Sequence, residues 1–108
     1  MPNDPHLPLG VRLRAMPDAE RERILLDVIT ECTAHVLGYP GTDDLDPDLT
    51  FPEAGVDSLT ASRIRSRIAA RIGVPVPRAR FGVDTSFFEA ARILSSLVEE
   101  APSHQVPG

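Results

Sequence analysis

Apolar positions recur with a helical period over residues 17–38, where Leu25, Val28, Ile29, Cys32, Val36 and Leu37 form one stripe. The pattern predicts a helix starting near Pro17, with Asp18, Glu20 and Glu22 complementing its N-terminal dipole, and ending at Gly38. The period returns over 58–72, with Ala61, Ile64, Ile68 and Ile72 on one face, until Gly73 and Pro75 stop it. A third helix is predicted over 87–99, with Phe87, Ala90, Ala91, Leu94, Leu97 and Val98 facing inward. Ser86 and Glu89, three residues apart, form a capping box at its start.

The segments between are aperiodic. Residues 39–56 hold Pro40, Gly41, Pro47, Pro52 and Gly55 and the acidic residues Asp43, Asp44, Asp46 and Asp48, which excludes a regular element. A loop of that length needs fastening, and Leu45, Leu49 and Phe51 are its candidate apolar pegs. Residues 74–85 are expected to hold one short helical turn around Phe81–Asp84. Alternating strand patterns and internal repeats are absent from the sequence. The fold class is therefore all-α: a small three- to four-helix bundle with a long loop between the first two helices.

Residues 1–15 and 101–108 are rich in proline and polar residues and lack a sustained period, so they read as flexible linkers around a domain at 16–100. Linkers on both sides suit a domain tethered within a longer polypeptide, and ordinary frayed termini would read the same way.

Composition narrows the function. The chain has 108 residues, enough for one domain and too few for an elaborate cleft. With 42% hydrophobic residues, 5% aromatic and no Trp, the core must be mostly aliphatic. A net charge of −5 argues against nucleic acid as the main partner. Cys32 is the single cysteine, which rules out an internal disulfide and suits a reducing cytoplasm. The N-terminus, with Pro2, Asp4, Pro5 and Pro8, lacks the apolar core of a signal peptide, and no apolar run suits a membrane span.

Candidate chemistry centres on Ser58, whose hydroxyl falls at the start of the second long helix. Unpaired first-turn N–H groups and the helix dipole favour a phosphate there. By itself, Asp-Ser-Leu at a helix start is most commonly plain capping. A hydrolase reading fails for want of a G-x-S-x-G elbow, with His6 and His104 in the tails and His35 left as an ordinary, partly buried residue of the first helix. Cys32 lies on the apolar stripe and reads as core. The acidic loop lacks the spacing of an EF-hand and reads as solvated, leaving no metal site.

The whole run F-x-x-x-G-x-D-S-L at Phe51, Gly55, Asp57, Ser58 and Leu59 resembles the attachment signature of acyl and peptidyl carrier proteins. The similarity covers roughly residues 16–98. Val36-Leu37-Gly38, Asp46-Pro47-Asp48 and Arg65-Ser66-Arg67-Ile68 look most like carrier domains of modular polyketide synthases. The resemblance implies a non-catalytic carrier whose Ser58 receives 4′-phosphopantetheine from a phosphopantetheinyl transferase. Its thiol would hold acyl and polyketide intermediates as thioesters, with ketosynthase and acyltransferase domains as further partners and the isolated domain monomeric. Asp57 would help present the site to the transferase and its magnesium, and Leu59 would be both a core-edge residue and a partner contact.

Departures from the family pattern are informative. The stretch Gly82-Val83-Asp84-Thr85-Ser86 lacks the proline common before the last helix, which puts the short helix there in doubt. Arg63 stands where an acidic residue is common, and Ser62 where an exposed apolar residue often sits. With Arg65, Arg67 and Arg71 the helix is basic within an acidic chain. Ser62, Arg63, Ser66 and Arg67 are accordingly expected to recognise partners with an acidic docking surface, against the alternative of a merely solvated face. Two other functions fit the same residues. One is a peptidyl carrier of a nonribosomal peptide synthetase, weakened by Val56 where glycine is more common. The other is a helical interaction module without a prosthetic group, in which Ser58 only caps.

Overall fold

The computed structural model describes residues 8–100. Four α-helices follow in order: α1 (Leu9–Arg14), α2 (Asp18–Leu37), α3 (Ser58–Ile72) and α4 (Phe87–Glu100). Single 3-10 turns at Pro52–Ala54 and Arg78–Arg80 interrupt the connections before α3 and α4. The expected all-α bundle with a long α2–α3 loop is the fold observed, and α3 starts and stops where its period and Gly73 predict.

Each long helix contributes one apolar stripe to a single core. Leu25, Val28, Ile29 and Cys32 of α2 meet Ile64, Ile68 and Ile72 of α3 and Phe87, Ala90, Ala91, Leu94 and Val98 of α4, all buried. Full burial of such a large aliphatic or aromatic side chain is worth about 1.5–3 kcal/mol. Packing therefore holds these helices, since intrinsic helix propensity is marginal at such lengths. Val36 and Leu37 are only half-buried, because the stripe of α2 reaches the edge of the core at its last turn.

The long loop is fastened at the N-terminus of α4. Leu45 is buried, Leu49 and Phe51 pack on the core, and the Phe51 ring meets Phe87 edge-on with centroids 4.6 Å apart. Unpaired first-turn N–H groups of α4 find loop carbonyls: Phe87 N donates to Leu49 O at 3.0 Å and Phe88 N to Pro47 O at 2.9 Å. Ser86 and Glu89 form the predicted capping box, with both bonds at 3.0 Å. The loop thereby delivers residues 51–57 to the start of α3.

Three expectations need correction. The linker reading of residues 1–15 fails from Leu9 onward, because α1 is part of the bundle. Leu13 is fully buried, and Arg14 donates to Val98 O at 3.0 Å. Gly10 lies so close to the carbonyl of Ile72 that a Cβ would clash with it. Arg21, itself buried, donates to Ser95 Oγ at 2.9 Å and to Leu13 O, and pairs with Asp18 and Glu99. A six-residue helix is too short to show a period and does not persist without such docking. Residues 1–7 and 101–108, also read as linker, lie outside the described residues.

The short turn expected at Phe81–Asp84 forms instead at Arg78–Arg80, immediately after Pro77, whose φ of −74° starts it. Gly82 to Thr85 close an ordinary turn, with Gly82 N donating to Thr85 Oγ1 at 2.8 Å. His35 is exposed on the last turn of α2 rather than partly buried.

Candidate functional site

The run from Phe51 to Leu59 is a compact corner rather than a free loop. Phe51 is anchored on Phe87, and the Pro52–Ala54 turn is closed by Gly55 N donating to Pro52 O at 3.0 Å. Thr50 and Glu53 cap that turn reciprocally, and Tyr39 Oη donates to Ala54 O at 2.8 Å. Gly55 has φ of +102°, a conformation that L side chains rarely adopt, so the glycine is required for the chain to reverse. Val56 then turns inward, buried, and Asp57 and Ser58 emerge at the surface.

Asp57 is the N-cap of α3. Its Oδ1 accepts from Thr60 N at 2.9 Å and from the Thr60 hydroxyl, while Asp57 N donates to Thr60 Oγ1 at 2.9 Å. Hydrogen bonding from the Thr60 backbone, then from its hydroxyl, holds the Asp57 carboxyl below its ordinary value, so it is ionised at neutral pH. Thr60 was not singled out from the sequence, although a hydroxyl three residues after an N-cap aspartate is a readable signal.

Ser58 is the first residue of α3 and is exposed; its hydroxyl forms no hydrogen bond among the described residues. Leu59 beside it is 63% exposed, unusual for leucine, so the structure puts it on the surface rather than at the core edge. Ser62, Arg63, Ser66 and Arg67 are all exposed, and their helical spacing gathers them with Leu59 on one face. That face is basic, and α3 as a whole carries no acidic residue. Arg71 is turned elsewhere, bonding Glu31 of α2 at 2.9 Å.

On the other side of Ser58 a cleft of about 560 Å³ opens between α3 and residues 76–83. Its floor is apolar, from Ile64, Ile68, Val76, Phe81 and Leu94, and its charged residues are Asp57, Arg65 and Arg78. No histidine lines it, so the cleft holds no imidazole to serve Ser58 as a base. Cys32 is buried, and desolvation pushes its thiol up from its ordinary value, consistent with a core residue. Among the described residues no cluster of His, Cys, Asp and Glu could hold a metal ion, and no helix is long and apolar enough to cross a membrane.

A corner that exposes one serine hydroxyl at a capped helix start, with no base nearby, suits a site modified by another protein better than a catalyst. The sequence matches the family model described as the phosphopantetheine attachment site over residues 27–87. The chain belongs to this family.

It is a non-catalytic acyl carrier domain, and its cofactor is covalently attached 4′-phosphopantetheine. Among curated proteins it is similar to polyketide synthase GfsA of Streptomyces halstedii, 49% identical over 63 residues, which is 58% of this chain and 1% of that protein. It is also similar to spectinabilin polyketide synthase system protein NorC of Streptomyces orinoci, 37% identical over 91 residues, 83% of this chain and 4% of that protein. The chain thus spans only a few per cent of the length of these relatives. Among solved structures, the A1-type ACP domain from module 5 of MLSA1 superposes with a TM-score of 0.73 at 26% identity, over 89% of this chain and 93% of that one.

Proposed function

We propose that Ser58 is the residue that carries the 4′-phosphopantetheine arm, and that this carrier domain works within a modular polyketide synthase. The observation that carries the reading is the exposed, unbonded Ser58 hydroxyl at the first turn of α3, delivered there by the Gly55 corner and the Asp57 cap. First-turn N–H groups and the dipole of α3 favour the negative phosphodiester that attachment would create. The residues present fit the group, since nothing covers the hydroxyl and an open cleft adjoins it. The arm supplies a flexible thiol that holds acyl groups as thioesters and carries them between active sites at high effective concentration.

Asp57 orients the serine by fixing the start of α3 and is itself exposed, where a transferase and its magnesium would meet it. A phosphopantetheinyl transferase is the first partner; ketosynthase and acyltransferase domains are the later ones. For these, the face of Leu59, Ser62, Arg63, Ser66 and Arg67 offers one apolar contact ringed by positive charge, which matches an acidic docking surface. Polyketide rather than peptide cargo is supported by the polyketide synthases among its relatives. The setting is cytoplasmic and the isolated domain monomeric.

Attachment is tested by intact mass before and after incubation with coenzyme A, magnesium and a broad-specificity transferase. A gain of one phosphopantetheine is expected, and a folded S58A protein that gains as much would sink the assignment. Docking is tested by R63E, which is expected to slow acyl transfer with at least one cognate enzyme. Unchanged transfer to all of them removes the docking role.

A further inference from the structure

The cleft beside Ser58 has an unusual charge inventory. Its one acidic residue, Asp57, is engaged with Thr60, whereas Arg65 and Arg78 make no hydrogen bond or ion pair among the described residues. Elsewhere Arg21 pairs with Asp18 and Glu99, Arg71 with Glu31 and Arg80 with Glu100, while Arg23, Arg63, Arg67 and Arg92, none of which lines this cleft, likewise make no hydrogen bond or ion pair among the described residues. Arg65 is half-buried, and Arg78, exposed, lines the same cleft from the 3-10 turn after Pro77.

Arg65 follows Ser58 by seven residues, two helical turns, so the two share a side of α3 about 10 Å apart along the axis. Side chains of a helix lean toward its N-terminus, which aims Arg65 back at the serine. Two guanidinium groups over an apolar floor suit an amphipathic ligand with one anionic group, because guanidinium matches phosphate and carboxylate geometry with paired N–H donors. At about 560 Å³ the cleft is of the size that holds a small molecule.

We propose that this cleft seats an anionic group of the loaded arm on Arg65 and Arg78. This rests on Ser58 being the attachment residue. The anion has two possible sources: the phosphodiester on Ser58, or the free carboxylate of a cargo that is the half-thioester of a dicarboxylic acid. In either case Arg65 and Arg78 hold the arm against the protein between deliveries, and the second source would favour carboxylated cargo over neutral cargo.

The test uses the full chain loaded with a malonyl group labelled with carbon-13 at its free carboxylate, in wild type, R65Q/R78Q and R63Q. Arg63 is exposed and does not line the cleft, so R63Q controls for removing a charge from the same helix. Loading is verified by mass at Ser58, and failure to load in a folded protein withdraws the attachment reading and this inference together. With loading complete, the phosphorus resonance is expected to move in R65Q/R78Q and not in R63Q if the phosphodiester is the seated group. A rise in the carboxylate pKa confined to R65Q/R78Q identifies the cargo instead. Both readouts unchanged relative to R63Q overturn the proposal. A readout without substitution is the Nε–Hε resonances of Arg65 and Arg78 in wild type. They are expected to shift on going from the unmodified to the malonyl-loaded protein while Arg63 stays still, and equal shifts with a butyryl cargo but none with the bare arm would overturn it in favour of apolar seating.

Discussion

Gly10→Ala tests whether α1 belongs to the bundle, and two opposing effects fix its sign. Alanine is favoured over glycine in a helix by about 0.8–1 kcal/mol, which would stabilise an undocked α1. In the docked helix the new Cβ would clash with the backbone carbonyl of Ile72, and a carbonyl at the end of α3 cannot swing away as a side chain would. The cheapest relief is detachment of α1, so the cost is capped by what docking contributes. Leu13, fully buried, is worth about 1.5–3 kcal/mol, and the Arg14 bond to Val98 O about 1 kcal/mol more. The Arg21 bond to Leu13 O goes with them. The clash therefore outweighs the propensity gain, and a net loss of about 2–3 kcal/mol is expected. Urea unfolding followed by circular dichroism should show a lower midpoint together with a smaller m-value, since the variant's native state buries less surface. Loading at Ser58 should be unaffected, because the Ile72 end of α3 lies about 20 Å from Ser58 at 1.5 Å per residue. A variant as stable as wild type with an unchanged m-value would refute the docking of α1.

Four other outcomes are expected. Thr33 Oγ1 is buried without a partner, so Thr33→Val, nearly isosteric, should stabilise by about 1 kcal/mol in the same unfolding assay. The carboxyl of Asp57 lies below its ordinary value of 3.8 in the folded protein, so its capping contribution is complete above that value. The contribution is lost as pH falls through the lower folded value; the protection factor of the Thr60 amide, its exchange relative to an unstructured amide at the same pH, should be flat from neutral to mildly acidic pH and fall only below about 4, a fall that Asp57→Asn abolishes. Phe87→Ala removes a fully buried ring and the Phe51 contact, and should cost about 3–5 kcal/mol while loosening the loop before α3. Cys32 should resist alkylation in the folded state, so thiol labelling of the loaded protein should find the thiol of the arm alone, as peptide mapping would show.

The parts of the fold that were legible in the sequence are those with long periods and strong stops. α2, α3 and α4 each repeat an apolar stripe over several turns, and Gly38, Gly73 and the Ser86–Glu89 box mark their ends in residues whose local chemistry permits little else. α1 was hidden because its burial depends on tertiary contacts: Leu13 is its one buried residue, with partners on other helices, and Gly10 marks a close approach only once Ile72 is beside it. The turn at Arg78–Arg80 was misplaced because Pro77 fixes where it starts, while Phe81 and Asp84 drew attention to the wrong side of it.

The site was legible as a motif and opaque as a cavity. Phe51, Gly55, Asp57 and Ser58 have roles set by near neighbours in the chain, except that the ring of Phe51 needs Phe87, which is far along it. The pairing of Arg65 with Arg78 on one cleft could not be read from spacing, since it depends on how residues 74–83 fold back along α3.

The central claim is that one hydroxyl carries the arm, and three stand in the first turns of α3: Ser58, Thr60 and Ser62. Trypsin should release residues 24–63 as one peptide holding all three, since no lysine or arginine falls between Arg23 and Arg63. Fragmenting that peptide from protein loaded by a transferase measures the position directly. Phosphopantetheine is expected on Ser58 alone, with Thr60 committed to the Asp57 cap. Phosphopantetheine on Thr60 or Ser62, or none in a folded protein, would contradict it.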